Sequence, residues 1–144
     1  MKRETINHWV KLDYLRKKMV DRQKVNSMVA SAEDNMNIVK TIPLTEKSAI
    51  LIFRETYESI RQLGDASWLL QGYEPRNHEV CMEVLKDMDI KDKVMMQHLN
   101  RFKKIRNDIN YRGFKATLAQ ATEILKLWDT CSEEIIGLLM RKSL

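Results

Sequence analysis

Glycine and proline are scarce in this chain of 144 residues, which contains only four glycines and two prolines. Tight turns between β-strands depend on these residues, so a sheet-rich fold is disfavoured. Leu, Met, Glu, Lys, Gln and Ala are plentiful instead, and all of them favour helices. A chain of this length is long enough to fill one hydrophobic core. We therefore predict a single all-α domain over residues 1–144.

Cysteine is also rare, and Cys81 and Cys131 lie far apart with no CxxC spacing. Both are next to apolar helix positions, so both are predicted to be structural thiols. The N-terminal sequence lacks the apolar core of a signal peptide, and no uncharged apolar run approaches the length that spans a bilayer. We therefore expect a cytoplasmic protein with no membrane partner.

Sequence patterns that bind metals or phosphate are missing as well. There is no Glu-x-x-His, and His8, His78 and His98 lie on separate segments without a second ligand one helical turn away. The glycines stand alone rather than in a phosphate-binding loop. We therefore expect no metal ion and no cofactor.

Apolar residues repeat at helical spacing along most of the chain. Residues 4–40 are predicted to form one long helix or two shorter ones, ended by Pro43. Four helices are predicted to follow, from Thr45 to Leu70, from Asn77 to Met88, from Met95 to Arg112 before Gly113, and from Lys115 to Met140. Because short connections force neighbouring helices to run antiparallel, we predict an up-and-down bundle of about five helices. No β-sheet is expected between residues 45 and 140.

The apolar stripes also identify the residues that should be buried. In the N-terminal segment, the first stripe consists of Ile6, Trp9, Leu12, Leu15 and Met19. The last helix should bury Leu118 at its start. The large residues expected in the core of the bundle are Phe53, Ile60, Phe102, Ile109, Leu125 and Trp128.

The formal net charge is +5, but basic and acidic residues alternate along most of the chain. Such charges usually form solvated helix faces, so the net charge alone does not indicate a polyanionic partner. The exception is the segment from Arg101 to Arg112, which also contains Lys103, Lys104 and Arg106. Within it, Arg101, Lys104, Arg106 and Arg112 are candidates for binding nucleic acid.

Arg106 has an unusual position within this segment. It lies four residues after Phe102 and three before Ile109, which puts it at the edge of the buried stripe. A guanidinium in such a position is usually paired with a carboxylate or directed at a shared interface, because a buried unpaired charge is costly.

The segment IRNDINYRG, residues 105–113, resembles the motif of the HEPN superfamily. These small helical bundles dimerise through helices that carry Arg, a polar residue and, about four to six positions after the Arg, His. Gly72 with Asn77, His78 and Glu79 also resembles the family's loop into its third helix, and the fit of helix lengths covers about residues 45–140. The resemblance implies a homodimer that binds single-stranded RNA or a nucleotide at the dimer groove.

Ribonuclease members of the family cleave RNA without metal, using the Arg and His of two subunits. Arg106 and Asn107 match the first half of their motif, whereas Tyr111 occupies the position of the histidine. A phenol is protonated near neutral pH and is a poor general base, so this change argues against a metal-independent endoribonuclease. Tyr111 is suited equally to holding a nucleotide and to closing the helical hairpin over the core.

Three functions therefore remain open from the sequence. The first is a dimeric HEPN-like toxin, or a catalytically weakened relative, that binds nucleic acid or a nucleotide through Arg106, Asn107 and Tyr111. The second is a non-catalytic interaction module that partners a minimal nucleotidyltransferase or another protein. Some such enzymes modify a tyrosine two positions after the histidine, where this chain has glycine. The third is a scaffold in which Arg106 only ties dimer halves together through Asp108 or Glu55.

Overall fold

The computed structural model describes the backbone of residues 1–143 and the side chains of residues 1–141. Helices dominate these residues, so the all-α class predicted from composition is confirmed. The elements in chain order are α1 (Arg3–Lys11), β1 (Leu15–Lys17), α2 (Arg22–Val39), α3 (Ala49–Leu70), β2 (Tyr73–Pro75), α4 (Glu83–Lys86), α5 (Lys93–Met96), α6 (Leu99–Arg112) and α7 (Leu118–Ser143).

Helix α3 lies at the centre of the fold and packs against both α2 and α7. A turn held by two hydroxyl groups precedes it. The N–H of Ser48 donates to Thr45 Oγ1 at 3.1 Å, and the N–H of Thr45 donates to Ser48 Oγ at 2.9 Å. The helix begins only after this turn, at Ala49, rather than directly after Thr45. Gly72 follows its C-terminus with a φ of 86°, in the left-handed region that favours glycine.

The N-terminal segment forms two helices separated by strand β1. Asp13, with a φ of 60°, ends the helical path after α1, and β1 pairs antiparallel with β2 so that Arg16 lies opposite Glu74. Because the chain is extended after Asp13, Leu12 and Met19 do not share a buried stripe, and both side chains are exposed. The expectation of no β-sheet between residues 45 and 140 is likewise wrong at β2.

The predicted core is confirmed at most positions. Of its six large residues, all are buried except Leu125, which is half-buried. The rings of Phe53 and Phe102 join α3 to α6, with their centroids 6.0 Å apart. The expectation that Leu118 is buried is wrong: it occupies the first position of α7 and is exposed, whereas Ala121 one turn later is buried. The buried apolar residues form one cluster.

Trp68 and Gly64 hold helix α3 close to the segment before α4. The indole N–H of the fully buried Trp68 donates to the carbonyl of Val80 at 2.8 Å. One turn earlier, a Cβ at Gly64 would lie 2.2 Å from the carbonyl oxygen of Cys81, closer than any real contact. Only glycine therefore permits this approach between helix and backbone.

No helix among residues 1–143 is both long and apolar enough to cross a bilayer.

Candidate nucleic-acid interface

Helix α6 carries the Arg-Asn segment and ends in a short turn into α7. Gly113 closes α6 in the left-handed conformation, with a φ of 68°, and the N–H of the next residue, Phe114, donates to the carbonyl of Asp108 at 3.3 Å. Thr117 and Gln120 then cap α7, since each backbone N–H donates to the other's side-chain oxygen, at 2.9 and 3.1 Å. The turn is therefore fixed at both ends.

Arg106 is engaged within its own chain. Its side chain is only 19% exposed, and Nη2 donates to Oε1 of Glu58 on α3 at 2.9 Å. The guanidinium carbon lies 5.6 Å from the centre of the Tyr57 ring. The carboxylate partner is therefore Glu58 rather than Asp108 or Glu55. Arg106 thus links α6 to α3.

Glu58 belongs to a row of alternating charges along α3. Arg61 Nε donates to Glu58 Oε2 at 2.9 Å, and Arg61 Nη1 donates to Asp65 Oδ2 at 2.7 Å. Burial raises the pKa of Asp65 above its usual value, although the charge of Arg61 opposes this shift. Burial also raises the pKa of Tyr57. Arg106 is therefore held at the end of a row that is largely closed to water.

Asn107 and Tyr111 lie on a different side of α6 from Arg106. They are one helical turn apart, and Lys104 lies on the same face, seven residues before Tyr111. Tyr111 is 78% exposed, whereas Asn107 is half-buried. Five residues separate Arg106 from Tyr111, which corresponds to about 140° around the helix. One chain therefore brings Asn107 and Tyr111 together but does not bring Arg106 to them.

The predicted basic residues also separate into two groups. Arg101 pairs with Glu123 of α7 and lies near the start of α6, roughly 16 Å along the axis from Arg112. Arg112 is exposed at the end of the helix, and its nearest carboxylate is Asp108 at 3.8 Å. Lys104 is exposed as well. Of the four predicted basic residues, Lys104 and Arg112 therefore contribute open positive charge near Tyr111.

Phe114 is an exposed aromatic residue that the sequence reasoning missed. It follows Gly113 directly and is 55% exposed, with the exposed Lys115 beside it. The available signal was its position after a helix-ending glycine, where a ring lies outside any helical stripe. We call the following residues the hairpin surface: Lys104, Asn107, Tyr111, Arg112, Phe114 and Lys115.

The apolar residues that lead into the Arg-Asn segment along α5 and α6 are mainly internal. Leu99 and Phe102 are buried in the chain's own core, and Met95 is half-buried. They therefore do not offer a surface to a second subunit. Near the end of α6, the exposed apolar side chains are instead Tyr111, Phe114 and Leu118.

Metal binding and thiol chemistry have no site among the described residues. Within them, no group of three or more His, Cys, Asp or Glu side chains is arranged to hold a metal ion. Cys81 and Cys131 are both buried, and burial raises their pKa values to about 12 and about 11. Both sulfurs are therefore thiols at neutral pH, as a structural role requires, whereas a nucleophile requires the thiolate.

Comparison of the chain with known protein families, curated proteins and solved structures finds no match. The resemblance to HEPN proteins therefore depends on the segment IRNDINYRG, the loop after Gly72 and the helix lengths.

Proposed function

We propose that this protein is a HEPN-like module that binds single-stranded RNA through the hairpin surface without cleaving it. The observation that supports this proposal is the pair of exposed rings, Tyr111 and Phe114, on either side of the exposed Arg112. Bases stack on exposed aromatic rings with little preference for sequence, while Lys and Arg pair with the phosphates between them. In this assignment, Lys104 and Lys115 extend the positive charge along the strand.

The geometry around Arg106 argues against ribonuclease chemistry. A cleavage site needs a donor for the phosphate and a base near the attacking hydroxyl. Arg106 already donates to Glu58, and Tyr111, at the histidine position of the motif, lies on another side of α6. We therefore assign Arg106 to holding α6 against α3, and RNA binding to the hairpin surface.

The proposed HEPN-like arrangement is an antiparallel up-and-down bundle. Ion pairs join its helices. Lys103 Nζ of α6 lies 2.6 Å from Glu79 Oε2 in the segment after β2, and Arg106 of α6 meets Glu58 near the middle of α3. At the end of α2, Lys40 Nζ lies 2.5 Å from Asp129 Oδ1 of α7.

We further propose a homodimer formed around Leu118, with the hairpin surfaces of two copies lining a shared groove. Light scattering at micromolar concentration is expected to give the mass of a dimer. Leu118→Asp should give the mass of a monomer, because a charge would then be buried between the copies. An acidic residue in the first turn of α7 should not harm the fold itself. Val94→Asp is the matched control, since Val94 is 66% exposed at another surface. A wild-type monomer at high micromolar concentration would refute the dimer.

The RNA proposal predicts that Tyr111→Ala weakens binding of labelled single-stranded RNA at least fivefold, the low end for loss of one stacked base. Fluorescence anisotropy in the presence of a chelator measures the affinity, and a gel checks that the RNA stays intact. Val94→Ala should bind as the wild type does. Arg112→Gln should reduce the slope of log affinity against log salt by about 0.7 units, the value for one phosphate of a single strand, because one fewer phosphate is neutralised.

Two results would contradict this assignment. Equal affinity of Tyr111→Ala and Val94→Ala for RNA at every salt concentration would show that RNA does not bind through the hairpin surface. Cleavage of RNA by the wild type in the presence of a chelator, but not by Arg106→Ala, would show that the protein is a metal-independent endoribonuclease.

The second candidate function is a non-catalytic interaction module, such as the partner of a minimal nucleotidyltransferase in a toxin–antitoxin pair. The pairing of Arg106 with Glu58 favours it, because an arginine neutralised within its own chain is not available to a phosphate. A stable complex with a nucleotidyltransferase encoded in the adjacent reading frame, together with no binding of RNA, would select this function.

A further inference from the structure

A second surface carries apolar side chains that none of the described side chains covers. Between β1 and α2, Met19 is 90% exposed and the adjacent Val20 is 43% exposed. Among the exposed large apolar residues within residues 1–141, Met19 is the most exposed. An aliphatic pair at the tip of a short connection is a costly arrangement in water unless something else covers it.

Positive charge surrounds this apolar pair. Arg16, Lys17, Arg22 and Lys24 are all exposed. We call these four residues, together with Lys18, Met19 and Val20, the basic loop. The neighbouring acidic groups are already engaged. Asp21 Oδ1 accepts from the N–H of Lys24 at 3.1 Å, and Glu74 Oε2 lies 2.7 Å from Lys18 Nζ. Hydrogen bonding to Lys18 lowers the pKa of Glu74, and the charges of Lys24 and Arg76 lower it further.

The basic loop is held in place on both sides. Before Met19, the N–H of Lys18 donates to the carbonyl of Gly72 at 2.9 Å, continuing the pairing of β1 with β2. After Val20, Asp21 caps α2 through its side chain. These anchors keep Met19 outside the core. Because the loop is already ordered, little conformational entropy is lost when Met19 contacts a partner.

The basic loop is separate from the hairpin surface. It lies beside Gly72, which follows the C-terminus of α3. Lys115 of the hairpin surface instead lines a depression with Glu46 and Ile50, at the N-terminus of α3. Since α3 has 22 residues, its ends are roughly 33 Å apart. The two surfaces therefore face different ligands or different parts of one ligand.

We propose that the basic loop docks the protein on an anionic lipid surface, with Met19 entering the headgroup region. Aliphatic side chains partition into the interface of a bilayer, and clustered Lys and Arg residues are attracted to its anionic headgroups. Residues 15–24 contain no aromatic ring on which a base could stack, so this chemistry fits lipid better than single-stranded nucleic acid. The expectation of no membrane partner rested on the lack of a spanning segment, which surface docking does not need.

Sedimentation with vesicles tests this proposal. Vesicles of phosphatidylcholine with phosphatidylserine are expected to bind the protein, whereas vesicles of phosphatidylcholine alone are not. Met19→Asp should reduce binding at least tenfold, because an apolar side chain is lost and a like charge is added to the anionic surface. The matched control is Val94→Asp, which places the same charge at an exposed valine elsewhere.

The charges are tested separately. The double variant Arg16→Gln with Lys17→Gln should bind anionic vesicles roughly 25-fold more weakly, about fivefold for each charge. Lys91→Gln with Lys93→Gln removes two exposed charges elsewhere and should bind as the wild type does. Tyr111→Ala should also bind vesicles normally, so this result is independent of RNA binding.

Three outcomes would overturn the proposal. Equal sedimentation with neutral and anionic vesicles would show that anionic headgroups do not attract the basic loop. Equal binding of Met19→Asp and Val94→Asp would show that Met19 does not enter the bilayer. Loss of RNA affinity in the Arg16 and Lys17 double variant, with no vesicle binding by the wild type, would assign the basic loop to nucleic acid. Circular dichroism of each variant confirms that the fold is retained.

Discussion

Replacement of Trp68 by alanine is expected to lower the free energy of unfolding by about 3 to 5 kcal/mol, the usual range for a large buried aromatic residue. Trp68 is fully buried, and its ring lies edge-on to Trp9 at 5.9 Å and to Tyr73 at 6.1 Å. Its indole also donates to Val80. A single side chain thus connects α1, β2 and the segment before α4 to α3. Urea denaturation followed by circular dichroism measures the loss.

Trp68→Phe separates packing from hydrogen bonding. This variant keeps an aromatic ring but leaves the carbonyl of Val80 without the indole N–H, so a smaller loss of about 1 to 3 kcal/mol is expected. A cost below about 1 kcal/mol for Trp68→Ala would mean that this junction does not support the fold.

Gly64→Ala is expected to destabilise the protein by about 3 kcal/mol, at the upper end of the range for overpacking. Alanine normally stabilises a helix relative to glycine by up to about 1 kcal/mol, so the sign of the effect is informative. At this position the new Cβ would meet the carbonyl oxygen of Cys81 at 2.2 Å, and backbone atoms cannot rotate away as a side chain can. The helix or the segment before α4 must therefore move.

Gly137→Ala provides the matched control, because Gly137 also lies within a helix and nothing is within 4 Å of its added Cβ. This variant should stabilise the protein by about 0.5 to 1 kcal/mol. Thermal unfolding of the two variants in the same buffer makes the comparison. Stabilisation by Gly64→Ala as well would show that α3 does not approach Cys81 closely.

Local signals predicted most of the helical fold. The stripes of α3, α6 and α7 repeat at helical spacing, and Gly72 and Gly113 mark the ends of two helices through their own backbone preference. Strand β1 was not predictable in this way. Leu15 fits a helical stripe as well as it fits a strand, and the choice depends on β2, which is distant in sequence. No pattern within residues 15–17 reports that partner.

At the candidate site, too, features set by nearby residues were predicted and features set by residues distant in sequence were not. The spacing from Phe102 and Ile109 placed Arg106 correctly at the edge of the buried face, with a carboxylate as one of its two expected partners. The identity of that carboxylate was not predicted, because Glu58 lies 48 positions earlier. Glu55 and Glu58 differ by less than one turn of α3, and only the way α6 packs on α3 selects between them.

The pairing of β1 with β2 imposes an order on folding. Lys18 and Glu74, which bridge the strands, are 56 positions apart, and both α2 and α3 lie between them. Closing so long a loop in an unfolded chain costs entropy that three residues of ladder cannot recover. Packing of α2 on α3 shortens that distance before the strands meet. We therefore expect α1 and β1 to join the fold last and to leave it first, by a partial opening that keeps the central helices assembled.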